Sequence, residues 1–229
     1  MSTAPIDLNR EFSPPVSTTD SSATPSKKQV LEKLLRQPAI WRGETHHAGR
    51  YLSTGHDAID KNLPGNGWRL GSLTEILCDQ EGIGELRLIM PALAELQQQN
   101  RWIVWVAPPY IPYAPALVYN GFELSRFLWI NTESDSDGVW AIEQVLNHPL
   151  CGAAVLWTGT ANDRDLRRMQ IAAESSGSWA IAFRPMAAVK SFSPAATRVA
   201  VKLQKRQMLL RFLKCRGGRE FSTSLTFAA

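Results

Sequence analysis

The sequence has few cysteines, few histidines and no long apolar run. Its three cysteines, Cys78, Cys151 and Cys215, are far apart and form no C-x-x-C pair, so neither a disulfide framework nor a zinc site is expected. His46 and His47 are adjacent, without further His or Cys at ligand spacing, and no metal or other cofactor is expected. No stretch reaches the roughly 18 apolar residues of a membrane span, and no basic-then-apolar signal pattern opens the chain. The expected location is the cytoplasm, with no membrane partner. A G-x-S-x-G elbow and a Cys/His pair in catalytic context are also missing, which removes the common nucleophilic hydrolases.

What is present fits one sizeable soluble core. The chain has 229 residues, 44% of them hydrophobic and 20% charged. Its formal charge of +4 favours anionic partners, nucleic acid first, without specifying one. Residues 1–26 are rich in Ser, Thr and Pro and too poor in large apolar groups to offset the entropy of ordering, so a disordered tail is expected. Residues 27–50 begin with KKQVLEKLLRQ, whose Val30, Leu31, Leu34 and Leu35 lie at helical spacing before Pro38. That helix is too short to be stable alone, so its apolar stripe, with Trp41, needs a surface to pack on, either its own domain or another protein core of the same kind.

Residues 51–221 alternate between apolar strand-like runs and amphipathic helices, the pattern of an α/β domain with a mostly parallel central sheet. Strands are expected at 72–77, 101–107, 126–131, 152–158 and 178–183, and their continuous hydrophobicity calls for helices on both faces. Helices are expected at about 85–99, 112–120, 138–147 and 163–176. TRVAVKL and MLLRFLKC then read as a C-terminal β-hairpin, with residues 222–229 as a tail. Trp102, Trp105, Trp129, Trp140, Trp157 and Trp179 lie in apolar segments and are expected in the core.

The segment EILCDQEGIGELRLIMPAL passes from a strand through a glycine pair into a helix, as a phosphate-binding loop does. A working loop reads G-x-x-x-x-G-K-[ST]. Here Asp79 replaces the first glycine, Gly82 and Gly84 remain, Glu85 replaces the lysine and Leu86 the hydroxyl. Glu81 adds a further negative charge. Two like charges about 4 Å apart repel by about 4 kcal/mol at an effective dielectric near 20, so a triphosphate is disfavoured.

Upstream, LSTGHDAIDKNLPGNGWRLGSLTEI (52–76) resembles the start of the RecA-type ATPase core, with Ser53, Thr54, Gly55, Asp60, Leu63, Gly67, Gly71, Glu75 and Ile76 carrying the match. In that register the catalytic glutamate is replaced by Pro108, Pro109 and Tyr110, and the magnesium aspartate by Trp157. A RecA-like pseudo-ATPase with a degenerate phosphate loop is therefore expected, and not an enzyme. Residues 82–117, with FRP (183–185) and LKCRGGR (213–219), resemble the ImuA family, which is related to RecA and SulA. The resemblance covers about residues 38–220. It implies a non-catalytic accessory role in SOS-induced mutagenic translesion synthesis, beside an ImuB-like Y-family protein and an error-prone DnaE-type polymerase. RecA, DNA and self-association are further candidate contacts. A SulA-like inhibitor of cell division that binds FtsZ, and a residual ATP-binding protein, are the alternatives.

Two other stretches stand out. PPYIPYAP (108–115) sets Tyr110 and Tyr113 in a proline-stiffened segment after a strand, either as a partner-binding or base-stacking platform or as a rigid turn. Between Arg198 and Arg219 there are eight basic residues and no acidic one. Of these, Lys202, Lys205, Arg206, Lys214, Arg216 and Arg219 are candidates for nucleic-acid binding or for a solvated basic edge.

Overall fold

The computed structural model describes residues 49–205 and 207–226. The tail at 1–26, the docking residues Val30, Leu31, Leu34, Leu35 and Trp41, and the basic residue Arg206 lie outside them. A two-stranded ribbon, β1 (Tyr51–Leu52) with β2 (Trp68–Arg69), encloses the short helix α1 (Asp57–Asp60). The chain then runs through β3 (Ser72–Cys78), α2 (Met90–Gln98), β4 (Trp102–Val106), α3 (Ala114–Tyr119), β5 (Phe127–Ile130), α4 (Asp135–Leu146), β6 (Cys151–Trp157), α5 (Asp163–Ser176) and β7 (Trp179–Pro185). It closes with β8 (Thr197–Gln204), β9 (Gln207–Cys215) and β10 (Phe221–Thr226).

Eight strands form one mixed sheet in the order β10-β9-β8-β3-β7-β6-β4-β5. β8, β3, β7, β6, β4 and β5 are mutually parallel, and β9 and β10 run antiparallel at one side. Side chains alternate across the pleat, so Ile103 and Trp105 of β4 pack under α2 with Leu93 and Leu96, while Val104 and Val106 face the opposite layer. That layer is built by α4 and α5 through Val139, Ile142, Leu166 and Met169.

Local sequence explains where the helices begin and end. Asn162 and Asp165 form a reciprocal capping box at the start of α5, and Gly177, at φ 73°, ends it in the left-handed conformation. Ser134 caps α4 by accepting from the Asp137 N–H. The helix expected at 85–99 is broken in two: a 3-10 turn at Glu85–Leu88 precedes α2. Pro91 has no N–H to give to the Arg87 carbonyl four residues back, and that carbonyl instead accepts from His56 Nε2 at 3.2 Å.

The tail expected from residue 222 is instead the strand β10. Phe221, Thr223 and Leu225 alternate inward, and Phe221 stacks on Phe212 at 4.3 Å. Three of the tryptophans expected in the core are exposed: Trp102, Trp129 and Trp140. Trp129 lies on β5, which is the edge of the sheet, and Trp140 on the outer face of α4.

Candidate functional site at the carboxyl end of the parallel strands

In an open parallel sheet, the loops leaving the carboxyl ends of the strands form the usual crevice for ligands. Here the loops after β3, β4 and β6 meet at that end and leave two recesses. One, of about 370 Å3, lies between Asp79, Glu81, Asp135, Thr158 and Arg184. The other, of about 870 Å3, is an apolar groove running from Glu85 and Leu86 past Trp105 to Tyr110, Tyr113 and Leu117.

The loop between them has turned its own side chain inward. Gly82 and Gly84 adopt φ 76° and 92°, conformations that favour glycine. Glu85 is buried, and its Oε1 accepts the Gly82 N–H at 3.1 Å. A carboxylate oxygen of the loop's own side chain thus takes up one of its backbone donors. Among the described residues, the buried Glu85 Oε2 has no hydrogen-bond partner. The charge of this region also reaches Cys78, whose thiol is pushed up to about 12, first by burial and then by Glu85, Glu81 and Asp79.

The smaller recess is acidic as well. Asp135 Oδ2 accepts from the Thr160 hydroxyl at 2.6 Å, the Thr160 N–H at 2.9 Å and the Thr158 hydroxyl at 3.1 Å. The Thr160 hydroxyl is the main cause holding this carboxyl below its ordinary range. Arg184 does not offset these acids, because its guanidinium is committed to Glu75 Oε1 at 2.5 Å and to the Ala161 carbonyl at 2.8 Å.

Glu75 is the residue that sequence reasoning undervalued. It is fully buried on β3 and receives Arg184 from β7 and Arg198 from β8, the latter through Nε at 2.6 Å. Arg198 Nη2 also donates to the Ala188 carbonyl at 2.7 Å. The run of strand residues hid this carboxylate, and both partners are more than a hundred positions away in the chain. The signals available were an acidic residue inside an otherwise apolar strand and its place in the RecA-type match.

The S-T-G-x4-D stretch is structural. Asp60 accepts the Ser53 hydroxyl at 2.7 Å and the Thr54 N–H at 2.9 Å, which closes the turn. At Gly55 an added Cβ would lie 2.5 Å from the Pro91 Cβ, and at Gly67 one would lie 2.1 Å from the Leu52 carbonyl oxygen.

Tyr110 and Tyr113 are 67% and 70% exposed and both line the groove, so the proline-rich stretch displays them instead of burying them. The basic residues divide. Lys202 and Lys205 are exposed near the turn that joins β8 to β9, at the same end of the sheet as the loop. Lys214 sits about 17 Å along the strands, at about 3.3 Å per residue, and donates to the Ser193 carbonyl. Burial, followed by Arg216 and Arg198, holds the Lys214 ammonium below its usual range. Arg216 contacts Glu174 and the Pro194 carbonyl, while Arg219 is exposed.

No protein-family model matches the chain. Among curated proteins, the cell division inhibitor SulA of Photorhabdus laumondii is 27% identical over 112 residues, 49% of this chain and 63% of that protein. Protein ImuA of Caulobacter vibrioides is 27% identical over 135 residues, 57% of this chain and 55% of that protein. The chain is similar to ImuA and to SulA. A third relative, SulA of Serratia proteamaculans, is 22% identical over 141 residues, 62% of this chain and 82% of that protein. The chain therefore spans between half and two-thirds of the length of the first two relatives.

Proposed function

We propose that this chain is a non-catalytic, ImuA-like accessory protein of SOS-induced mutagenic translesion synthesis. It acts by protein contacts with an ImuB-like Y-family protein and an error-prone DnaE-type polymerase, with RecA and DNA as further contacts. The observation that carries the reading is Glu85 folded onto Gly82: the loop that would grip a nucleotide phosphate is filled by the chain's own carboxylate. Lysine, hydroxyl, glutamate and magnesium aspartate are replaced together, which supports a pseudo-ATPase. The sheet order supports the RecA-like assignment of the core, since β3, the strand that feeds the loop, lies between β7 and β8. The exposed groove supports a binding role.

Calorimetry and affinity capture test this reading. ATP with Mg²⁺ should give no saturable heat at millimolar nucleotide. Tagged full-length chain from DNA-damaged cells should retain the Y-family protein and the polymerase. Recovery of FtsZ without either would instead favour a SulA-like division inhibitor, a second reading supported by the similarity to SulA over 63% of the Photorhabdus protein.

A further inference from the structure

We infer that the groove beside the loop seats a partner segment carrying a lysine or arginine between apolar residues, with Glu85 Oε2 as the anchor for that basic group. This rests on the adaptor reading above and specifies the chemistry of the partner.

Two independent features meet in the groove. The first is apolar area left open to water: Tyr110, Ile111 and Tyr113 are 67%, 77% and 70% exposed on one wall, facing Leu86 and Met90 on the other. At about 870 Å3 the space is within the range of binding sites for small molecules and short segments. Rigid aromatic side chains on a proline-stiffened backbone lose little entropy on binding and are the commonest anchors of protein interfaces.

The second feature is a buried carboxyl oxygen left unmatched. Glu85 is 4% exposed and Oε1 is taken by Gly82, yet no donor among the described residues reaches Oε2. A buried polar atom without a partner costs free energy, more so when it is charged. Such a group persists where a ligand completes it. A cation is the complement, since Glu81 and Asp79 stand in the same loop and Glu85, Glu81 and Asp79 all raise the Cys78 thiol. His56 and Arg87 border the groove as well, but each already has contacts of its own. A basic side chain flanked by apolar residues satisfies Oε2 and covers the tyrosines in one placement.

The test is selection of a random 12-residue peptide library displayed on phage against the immobilised full chain. The variants are Glu85→Gln, Glu85→Met and Tyr110→Ala with Tyr113→Ala, each checked for native circular dichroism and a cooperative melt. The expected enrichment is of peptides with Arg or Lys between apolar residues. In the best binder, replacing that basic residue by Gln should weaken affinity about tenfold or more on the native chain. On Glu85→Gln, or on Glu85→Met if the first variant misfolds, the same peptide change should cost less than about twofold. The double tyrosine variant should lose the enrichment.

Enriched peptides without a basic residue, or an equal loss on the Glu85 variants, would overturn the anchor while leaving the adaptor reading in place. No enrichment, or enrichment indifferent to the tyrosines, would remove the groove as a binding site. Enriched sequences that match residues 27–43 would make a copy of this chain the occupant and overturn the choice of a separate partner.

Discussion

Glu85 accepts the Gly82 N–H through one carboxylate oxygen and leaves the other buried and unmatched among the described residues. The made bond contributes about 0.5–1.5 kcal/mol net, whereas an unsatisfied buried polar atom costs about 1–3 kcal/mol. Gly82 is exposed, so water can take over its N–H when the carboxylate is removed. Glu85→Met should therefore raise unfolding stability by roughly 1 kcal/mol, read as a higher urea midpoint at unchanged slope. A clear destabilisation would show the carboxylate to be a structural cap.

Glu75 behaves in the opposite way. It is matched on both oxygens, by Arg184 and Arg198, and lies among buried strands. Removing it leaves two buried guanidinium groups without their counter-charge. Glu75→Ala should cost about 3–5 kcal/mol. Urea unfolding at neutral pH gives the figure, and an effect below 1 kcal/mol would refute the assignment.

The two tyrosines separate binding from folding. Since Tyr110 and Tyr113 are mostly exposed, replacing both by Ala should shift unfolding stability by no more than about 0.5 kcal/mol each. Under the adaptor role proposed above, recovery of the captured partners should fall tenfold or more, as expected when aromatic anchors of an interface are truncated. Equal losses of stability and binding would mean that the segment is a packing element.

Asp135 gives a pH signature. Its carboxyl is held below the ordinary value by the Thr160 hydroxyl, so the folded pKa is depressed relative to the unfolded chain. The stability it contributes is fully present above the unfolded value near 3.8 and is lost as pH falls through the lower folded value. The melting temperature of Asp135→Asn should lie below that of the native chain at pH 7. The gap should begin to narrow below about pH 4 and close only as pH falls through the depressed folded value.

Lys202 and Lys205 provide the nucleic-acid test. Replacing both by Ala should make the logarithmic salt dependence of any DNA binding shallower by about 2, one unit for each phosphate contact. Lys214→Ala should leave that slope unchanged, because its ammonium is held by the Ser193 carbonyl. The opposite ranking would move the interface to the other end of the strands.

Much of the fold could be read in the sequence wherever the pattern is local. The apolar runs at 72–77 and 178–183 became β3 and β7, and the segment ending at Gly177 is a helix because Asn162, Asp165 and Gly177 supply both of its ends. The replacement of lysine by Glu85 was legible too, but not the direction of its side chain, which depends on the turn that Gly82 and Gly84 allow. Trp129 reads as core by composition and is exposed because the connection order puts β5 at the edge, which no local pattern records. The pairing of Glu75 with arginines on two later strands was hidden for the same reason.

The position of β3 also bears on how this protein is made. Its two neighbours, β7 and β8, begin 107 and 125 residues after it, at Trp179 and Thr197 against Ser72. On the ribosome, β3 therefore has no sheet partner until most of the chain has been translated, and its seven buried residues must wait in an unpaired state. At about 5–20 residues per second, that interval lasts several seconds to about 25 seconds. Slowed translation between β6 and β8 should then raise the demand for chaperones and the yield of aggregate, even though the finished protein is unchanged.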